Sequence, residues 1–319
     1  MRDHAIDLAE ATLGKSFVLA GARFRLHAKN RNTIYRVARQ ADWFLKLSPP
    51  ADAAVMPRER LGAEYCNRVL GNTGGYAGPF VSRVSLNPPF VLADAVSGPP
   101  MTRVLASGTW LPGSNARVES AVTTLGTLLS VLHADRTLPQ DAPEATKRPF
   151  DVVRQLAERL RDRRDETAHA VLEWSQAARG GAENHAFIHG NLRLDNLLVS
   201  GSRIGFVDFE NCGSGPRYQD ASRPITQLLL LRASIAAPPA RIDGLLASFL
   251  AGYRMSQPYD IIALGDWVAV RLARYYLESL RRARPGLIGG LPVVRSRLAA
   301  LTTRLMREGF EPILKSASR

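Results

Sequence analysis

Between Phe187 and Asp220 the chain gathers the residue types from which a phosphate-handling site can be built. The run His189-Gly190-Asn191-Leu192-Arg193-Leu194-Asp195-Asn196 follows an apolar stretch at 186–188 and leads into a second at 197–199. A third, at 204–207, ends on Asp208-Phe209-Glu210. All three read as short strands, and a turn at Gly201 makes the last two a hairpin. Asn196, before the first arm, and Asp208, after the second, then stand at one mouth. An amide oxygen and a carboxylate are hard ligands, suited to a Mg2+ ion that keeps part of its water shell and holds phosphates. Phosphoryl transfer asks for such a metal, a cation on the phosphates and a group that orients the attacking hydroxyl.

The elements around this segment change character along the chain. Residues 24–26, 33–37, 43–47, 79–84 and 89–95 are strand-like, with β-branched and aromatic residues between polar turns. Residues 57–70 read as a helix closed by Gly71-Asn72, and 3–13 as a short amphipathic one. A five-stranded sheet with one inserted helix is therefore expected in residues 1–94. After Gly98-Pro99-Pro100 the period becomes helical. Val122, Leu125, Leu129 and Leu132 form one stripe within 118–133, and helices are also expected at 150–164, at 168–178 and from Ile225 onward, most clearly over 266–284. The expected fold class is α+β, with a sheet-rich lobe at 1–94 and a helical lobe at 95–319.

Composition narrows the functional classes. The chain has 319 residues, 45% of them hydrophobic, enough to bury a sizeable core. No run reaches the ~18 apolar residues of a membrane span. Two cysteines, Cys66 and Cys212, argue against a disulfide framework and for a reducing, cytoplasmic setting. The net charge of +13 suits anionic ligands. The arginines are nonetheless spread along the chain, so neither a nucleic-acid nor a membrane partner is expected.

His-Gly-x-Leu-x-x-x-Asn followed about a dozen residues later by Asp-Phe-Glu resembles the signature of the aminoglycoside phosphotransferase and choline kinase superfamily, relatives of protein kinases. The resemblance spans roughly residues 20–285 and implies a bilobal fold, ATP or GTP as donor, Mg2+ on Asn196 and Asp208, and a small-molecule acceptor. It also implies that Lys46 grips the nucleotide phosphates with Glu64 as its ion-pair partner, Glu59 being the competing candidate. Asn32 and Thr33 would lie in the loop over the phosphates. Leu92, Ala93, Asp94 and Ala95 would form the inter-lobe linker that hydrogen-bonds the base. His189 would prop the catalytic loop, and Asp220 would brace it or cap a helix. Leu125-Gly126 through Leu132-His133 resembles a family helix.

Asn191 departs from that family, which has its catalytic aspartate there. An amide orients a hydroxyl but does not take its proton. Three readings follow: an engineered replacement, a natural pseudokinase acting as a nucleotide- or ligand-binding module, or Asp195 assuming part of the role. The third is disfavoured, since the residue before the metal-binding asparagine need not act as a base. Other features read as structural. His185 and His189 are ~13 Å apart on a strand, too far to share an ion. Gly213-Ser214-Gly215 reads as a flexible turn, Cys212 as an inert thiol, and Trp267, Tyr275 and Tyr276 as core rather than cleft. Polycationic acceptors call for an acidic pocket, which a +13 chain makes a poor fit despite Asp141, Glu144 and Asp151.

Overall fold

The computed structural model of the protein describes residues 16–19, 22–29, 33–38, 43–87, 89–110, 115–139, 142–144, 149–161, 165–177, 185–234, 238–281 and 292–313. Asn32, the helix expected over 3–13, and the ends of the helices expected at 150–164, 168–178 and 266–284 lie outside them. The first part of the chain forms an antiparallel sheet of six strands, β1 (Ser16–Leu19), β2 (Ala22–Lys29), β3 (Thr33–Ala38), β4 (Trp43–Leu47), β5 (Val81–Leu86) and β6 (Pro89–Asp94). Their order is β1-β2-β3-β4-β6-β5. The sixth strand, β1, is an addition to the five expected. It pairs with β2 from Ser16↔Arg25 to Leu19↔Ala22, and only this pairing marks four residues as a strand.

Helix α1 (Met56–Leu70) joins β4 to β5. Met56, Glu59, Ala63, Cys66 and Leu70 are buried at alternating spacings of three and four, one face of a helix. The chain then becomes helical, with α2 (Met101–Trp110), α3 (Asn115–Ala134), α4 (Pro149–Glu158) and α5 (Glu166–Ala177). Past residue 216 follow α6 (Arg217–Ala233), α7 (Pro239–Tyr253), α8 (Ile261–Arg281) and α9 (Pro292–Glu308). α3 lies along α7, and α6 along α8, over a shared apolar core that includes Leu125, Leu129, Phe249, Leu228 and Leu272. Helix α6 starts eight residues earlier than the expected Ile225, which hides its polar first two turns. Among the described residues no helix is long and apolar enough to cross a membrane.

Between α5 and α6 lie four short strands, β7 (His185–Ile188), β8 (Leu197–Ser200), β9 (Arg203–Phe206) and β10 (Gly213–Pro216). β8 and β9 form a hairpin in register Leu197↔Phe206 to Ser200↔Arg203. Its two-residue turn begins at Gly201, whose φ of 62° is what such a turn demands. The hairpin is wedged in place: Val199 N donates to Pro99 O, while Ile204 N donates to Gly75 O and Ala77 N to Ile204 O. Residues 213–215, expected to be a flexible turn, are instead part of strand β10, antiparallel to β7 with Gly213↔Ile188. Small residues suit that position, because Pro143 O lies against Gly213 and leaves no room for a side chain.

Candidate active site

The two strand pairs bring the loops 189–196 and 207–212 together at one end. Val207 N donates to Asn196 O, continuing the hairpin ladder to that point. The His189 ring is buried, lies tilted against the Phe209 ring with centroids 4.7 Å apart, and Nε2 donates to Val207 O at 2.9 Å. Asp220 is fully buried on α6 and accepts from His189 N through one oxygen and from Gly190 N at 2.9 Å through the other. Burial pushes its carboxyl up, and the adjoining His189 and the two amides pull it back. Of the two readings of Asp220, bracing is the one observed; the N-cap of α6 is Pro216. Gly190 has a φ of 74°, and a β-carbon there would collide with Asn211 O, so this turn requires glycine.

Lys46, the last residue but one of β4, is enclosed by carboxylates. Nζ lies 2.5 Å from Glu59 Oε1, 2.6 Å from Asp208 Oδ1 and 2.5 Å from Glu210 Oε1. Burial alone would pull the ammonium pKa down; the carboxylates of Glu59, Asp208 and Glu210 outweigh it and keep Lys46 charged. Glu59 also accepts from Phe209 N at 2.9 Å through its other oxygen, so one side chain ties β4 to the loop at 208. Burial pushes the Glu59 carboxyl up, against the pull of Lys46.

Glu64 is not the ion-pair partner of Lys46. Its side chain is 64% exposed and faces Arg60 at 3.9 Å. The reason is helical phase: Glu59 lies on the Met56–Ala63–Cys66–Leu70 stripe and Glu64 does not. Replacing Glu59 by alanine leaves Phe209 N unmet in the interior and is expected to cost about 1–3 kcal/mol. Glu64→Ala is expected to stay within about 0.5 kcal/mol of the parent. Equilibrium urea unfolding of both variants checks this, and equal losses would restore Glu64.

Asp208 is the one non-glycine with positive φ, 72°, among the described residues. Its second oxygen accepts from Asn196 Nδ2 at 3.2 Å, and the same nitrogen donates to Asn191 O at 3.0 Å. The amide nitrogen of Asn196 is thus committed, so its oxygen is the atom that could meet a metal. Glu59, Asp208 and Glu210 each bring a ligand oxygen within 4.8 Å of the others. Three carboxylates around one ammonium carry a formal excess of two negative charges, which a divalent cation balances. Hard oxygens in that charge state fit Mg2+. In the sequence Glu210 stands out only as a member of Asp-Phe-Glu, and its spacing of two from Asp208 is the signal that points to it.

Asn191, third in the loop, is half-buried, and its side chain makes no hydrogen bond to another described residue. Asp195 is exposed, accepting from Thr102 Oγ1 at 2.7 Å and pairing with Arg193 at 3.1 Å. Thr33 begins β3 opposite Leu47, next to Lys46. Leu92, Ala93 and Asp94 lie on β6 opposite Leu45, Phe44 and Trp43, and Ala95 follows. Asp94 N already donates to Phe80 O. Trp267 and Tyr276 are buried as expected, whereas Tyr275 is exposed. Cys66 and Cys212 are buried and free, their thiols pushed up chiefly by burial.

A model of the phosphotransferase enzyme family matches residues 23–259, about three quarters of the chain. The chain belongs to that family. No curated protein matches this phosphotransferase-family chain by sequence. Solved structures share its fold at low identity. The amicoumacin kinase hAmiN is 15% identical, with 96% of this chain and 93% of that one covered and a TM-score of 0.58. A choline/ethanolamine kinase family protein from Mesorhizobium loti is 17% identical, with coverages of 98% and 99% and a TM-score of 0.57. The macrolide 2′-phosphotransferase MphH from Brachybacterium faecium is 17% identical, with coverages of 93% and 97% and a TM-score of 0.53.

Proposed function

We propose that the protein is a nucleotide- and Mg2+-dependent phosphotransferase that phosphorylates a hydroxyl of a small molecule, with ATP or GTP as donor. The observation carrying this reading is the enclosure of Lys46 by Glu59, Asp208 and Glu210 beside Asn196. Lys46 holds the phosphates, and Glu59 keeps its ammonium at the site. Asn196 and Asp208 hold the metal, which when bound neutralises charge on the phosphates and aligns them. Asn191 orients the acceptor hydroxyl through hydrogen bonds without removing its proton. His189 and Asp220 fix the loop from below. Residues 92–95 lie along the strand next to Lys46, where a base would be read by backbone groups. Related folds support nucleotide and divalent-metal use: hAmiN was solved with AMP-PNP and Ca2+, and APH(2")-IIIa with GDP and kanamycin. Two reduced thiols suit a cytoplasmic setting.

Calorimetry with ATP and GTP, each with and without Mg2+, tests the reading on the chain as it stands. Metal-dependent binding of one of them is expected, and binding of neither overturns it. Asn191 favours a second reading, a pseudokinase that binds nucleotide without transfer. Nucleotide binding with no turnover, in this chain and in an Asn191→Asp variant alike, would establish that reading instead.

A further inference from the structure

Helix α6 presents side chains at successive turns to the loop 189–196. Asp220 accepts from His189 N and Gly190 N, and Gln227 accepts from Leu194 N at 2.8 Å. Arg223 lies on the same face between them, so helix register sets it opposite the stretch between Gly190 and Leu194, which includes Asn191. Its Nε is fully buried and has no hydrogen-bond partner among the described residues. Leaving a buried donor unmet costs about 1–3 kcal/mol, more when it is charged. The Arg223 guanidinium is thus short of a partner on at least one of its nitrogens.

Other arginines converge on Arg223. Arg271, on α8, reaches across to α6, with Nε on Ser222 Oγ at 2.7 Å and Nη2 on Gln219 O at 2.5 Å, both neutral acceptors. Arg274 lies one turn further along α8, and Arg193 belongs to the loop itself. Burial lowers the Arg223 pKa; Tyr275 and Asp220 oppose that, and the charges of Arg193 and Arg274 add to it. Arg271 is lowered to about 9, by burial and then by Arg223. The neighbouring carboxylates are committed: Asp220 to two backbone amides, Asp195 to Arg193 and Thr102, and Glu278 to Arg274. Arg193 and Arg274 thus have carboxylate partners, whereas Arg271 meets neutral acceptors and Arg223 Nε meets none among the described residues, and a guanidinium fork matches carboxylate or phosphate with paired hydrogen bonds.

We infer that Arg223, flanked by Arg193, Arg271 and Arg274, forms an anion subsite beside Asn191, and that the acceptor is a hydroxyl compound carrying a carboxylate, sulfate or phosphate group. The assignment of the anion to the acceptor rests on the phosphotransferase reading. Acceptors of this class are opposite in charge to kanamycin, the ligand solved with APH(2")-IIIa.

Inorganic phosphate is the probe, titrated by calorimetry at low ionic strength into the full chain and into Arg223→Gln, Arg193→Gln and Lys46→Ala. Arg223→Gln is expected to weaken phosphate binding about tenfold or more, Arg193→Gln to weaken it severalfold, and Lys46→Ala to leave it intact. Arg193 is exposed, so its variant decides the matter if thermal unfolding shows Arg223→Gln to be misfolded. No phosphate binding by the parent, or binding lost in Lys46→Ala and unchanged in both arginine variants, overturns the subsite. MgATP titrated into the same proteins reads the nucleotide site separately. Phosphate binding that needs Arg223 while MgATP fails to bind would therefore support the subsite and count only against the phosphotransferase reading.

Discussion

Asn191→Asp is expected to raise the rate of phosphoryl transfer by about 10²–10⁴-fold, the usual contribution of a positioned general base. The substitution exchanges an amide for a carboxylate of the same shape, so the loop has no steric reason to move. Its backbone is fixed independently of that side chain: Asp220 holds Gly190 N, while Asn191 O accepts from Arg193 N at 2.7 Å and from Asn196 Nδ2. On the proposed function nucleotide affinity rests on Lys46, Asn196 and Asp208 and should change little, so the gain belongs in kcat. ATP hydrolysis, in which water replaces the acceptor, supplies a readout that needs no knowledge of the substrate. A variant that binds MgATP and hydrolyses no faster than the parent would sink the expectation and favour the pseudokinase reading.

How much of this site was legible in the sequence depends on which interactions define each part. The β8–β9 hairpin could be read directly, because β-branched residues flank a two-residue turn and the register alone brings Asn196 next to Asp208. Strand β10 could not. Gly-Ser-Gly-Pro has no strand propensity, and its conformation is imposed by pairing with β7 and by the close approach of Pro143 O. Glu59 was legible in principle: spacings of three and four from Met56 to Leu70 single it out as the acidic residue on the buried face of α1. Order and distance from Lys46 pointed to Glu64, and helical phase decided otherwise. Asp195 shows a different limit. Its sequence neighbours place it in the loop, but the direction of its side chain is set by Thr102 on α2, far away in the chain. Arg223 shows the same limit in reverse, since its meaning comes from Asp220 and Gln227 gripping one loop while α8 delivers Arg271 and Arg274.

Asp208 separates stability from function. A non-glycine residue held in the left-handed region costs about 1–2 kcal/mol, and such strain persists where the surrounding structure insists on it. Here Lys46 Nζ at 2.6 Å and Asn196 Nδ2 at 3.2 Å hold the carboxylate, while Phe209 N is held by Glu59. Replacing Asp208 by glycine relieves the backbone and removes one of three carboxylates crowded around a single ammonium. Asp208→Gly is therefore expected to unfold no more readily than the parent, while Asp208→Ala, which keeps the strain and loses the hydrogen bonds, unfolds earlier. Both variants should lose phosphoryl transfer by about 10²–10³-fold, the usual scale for removing one preorganised electrostatic group, and the Mg2+ dependence of ATP affinity should fall with it. Urea unfolding ranks the stabilities, and MgATP calorimetry reads the metal. Retained Mg2+-dependent affinity in Asp208→Gly would show that the metal is held elsewhere, with Glu210 the nearest alternative carboxylate. Loss of stability in Asp208→Gly would show that the ion pair with Lys46 outweighs the strain it imposes.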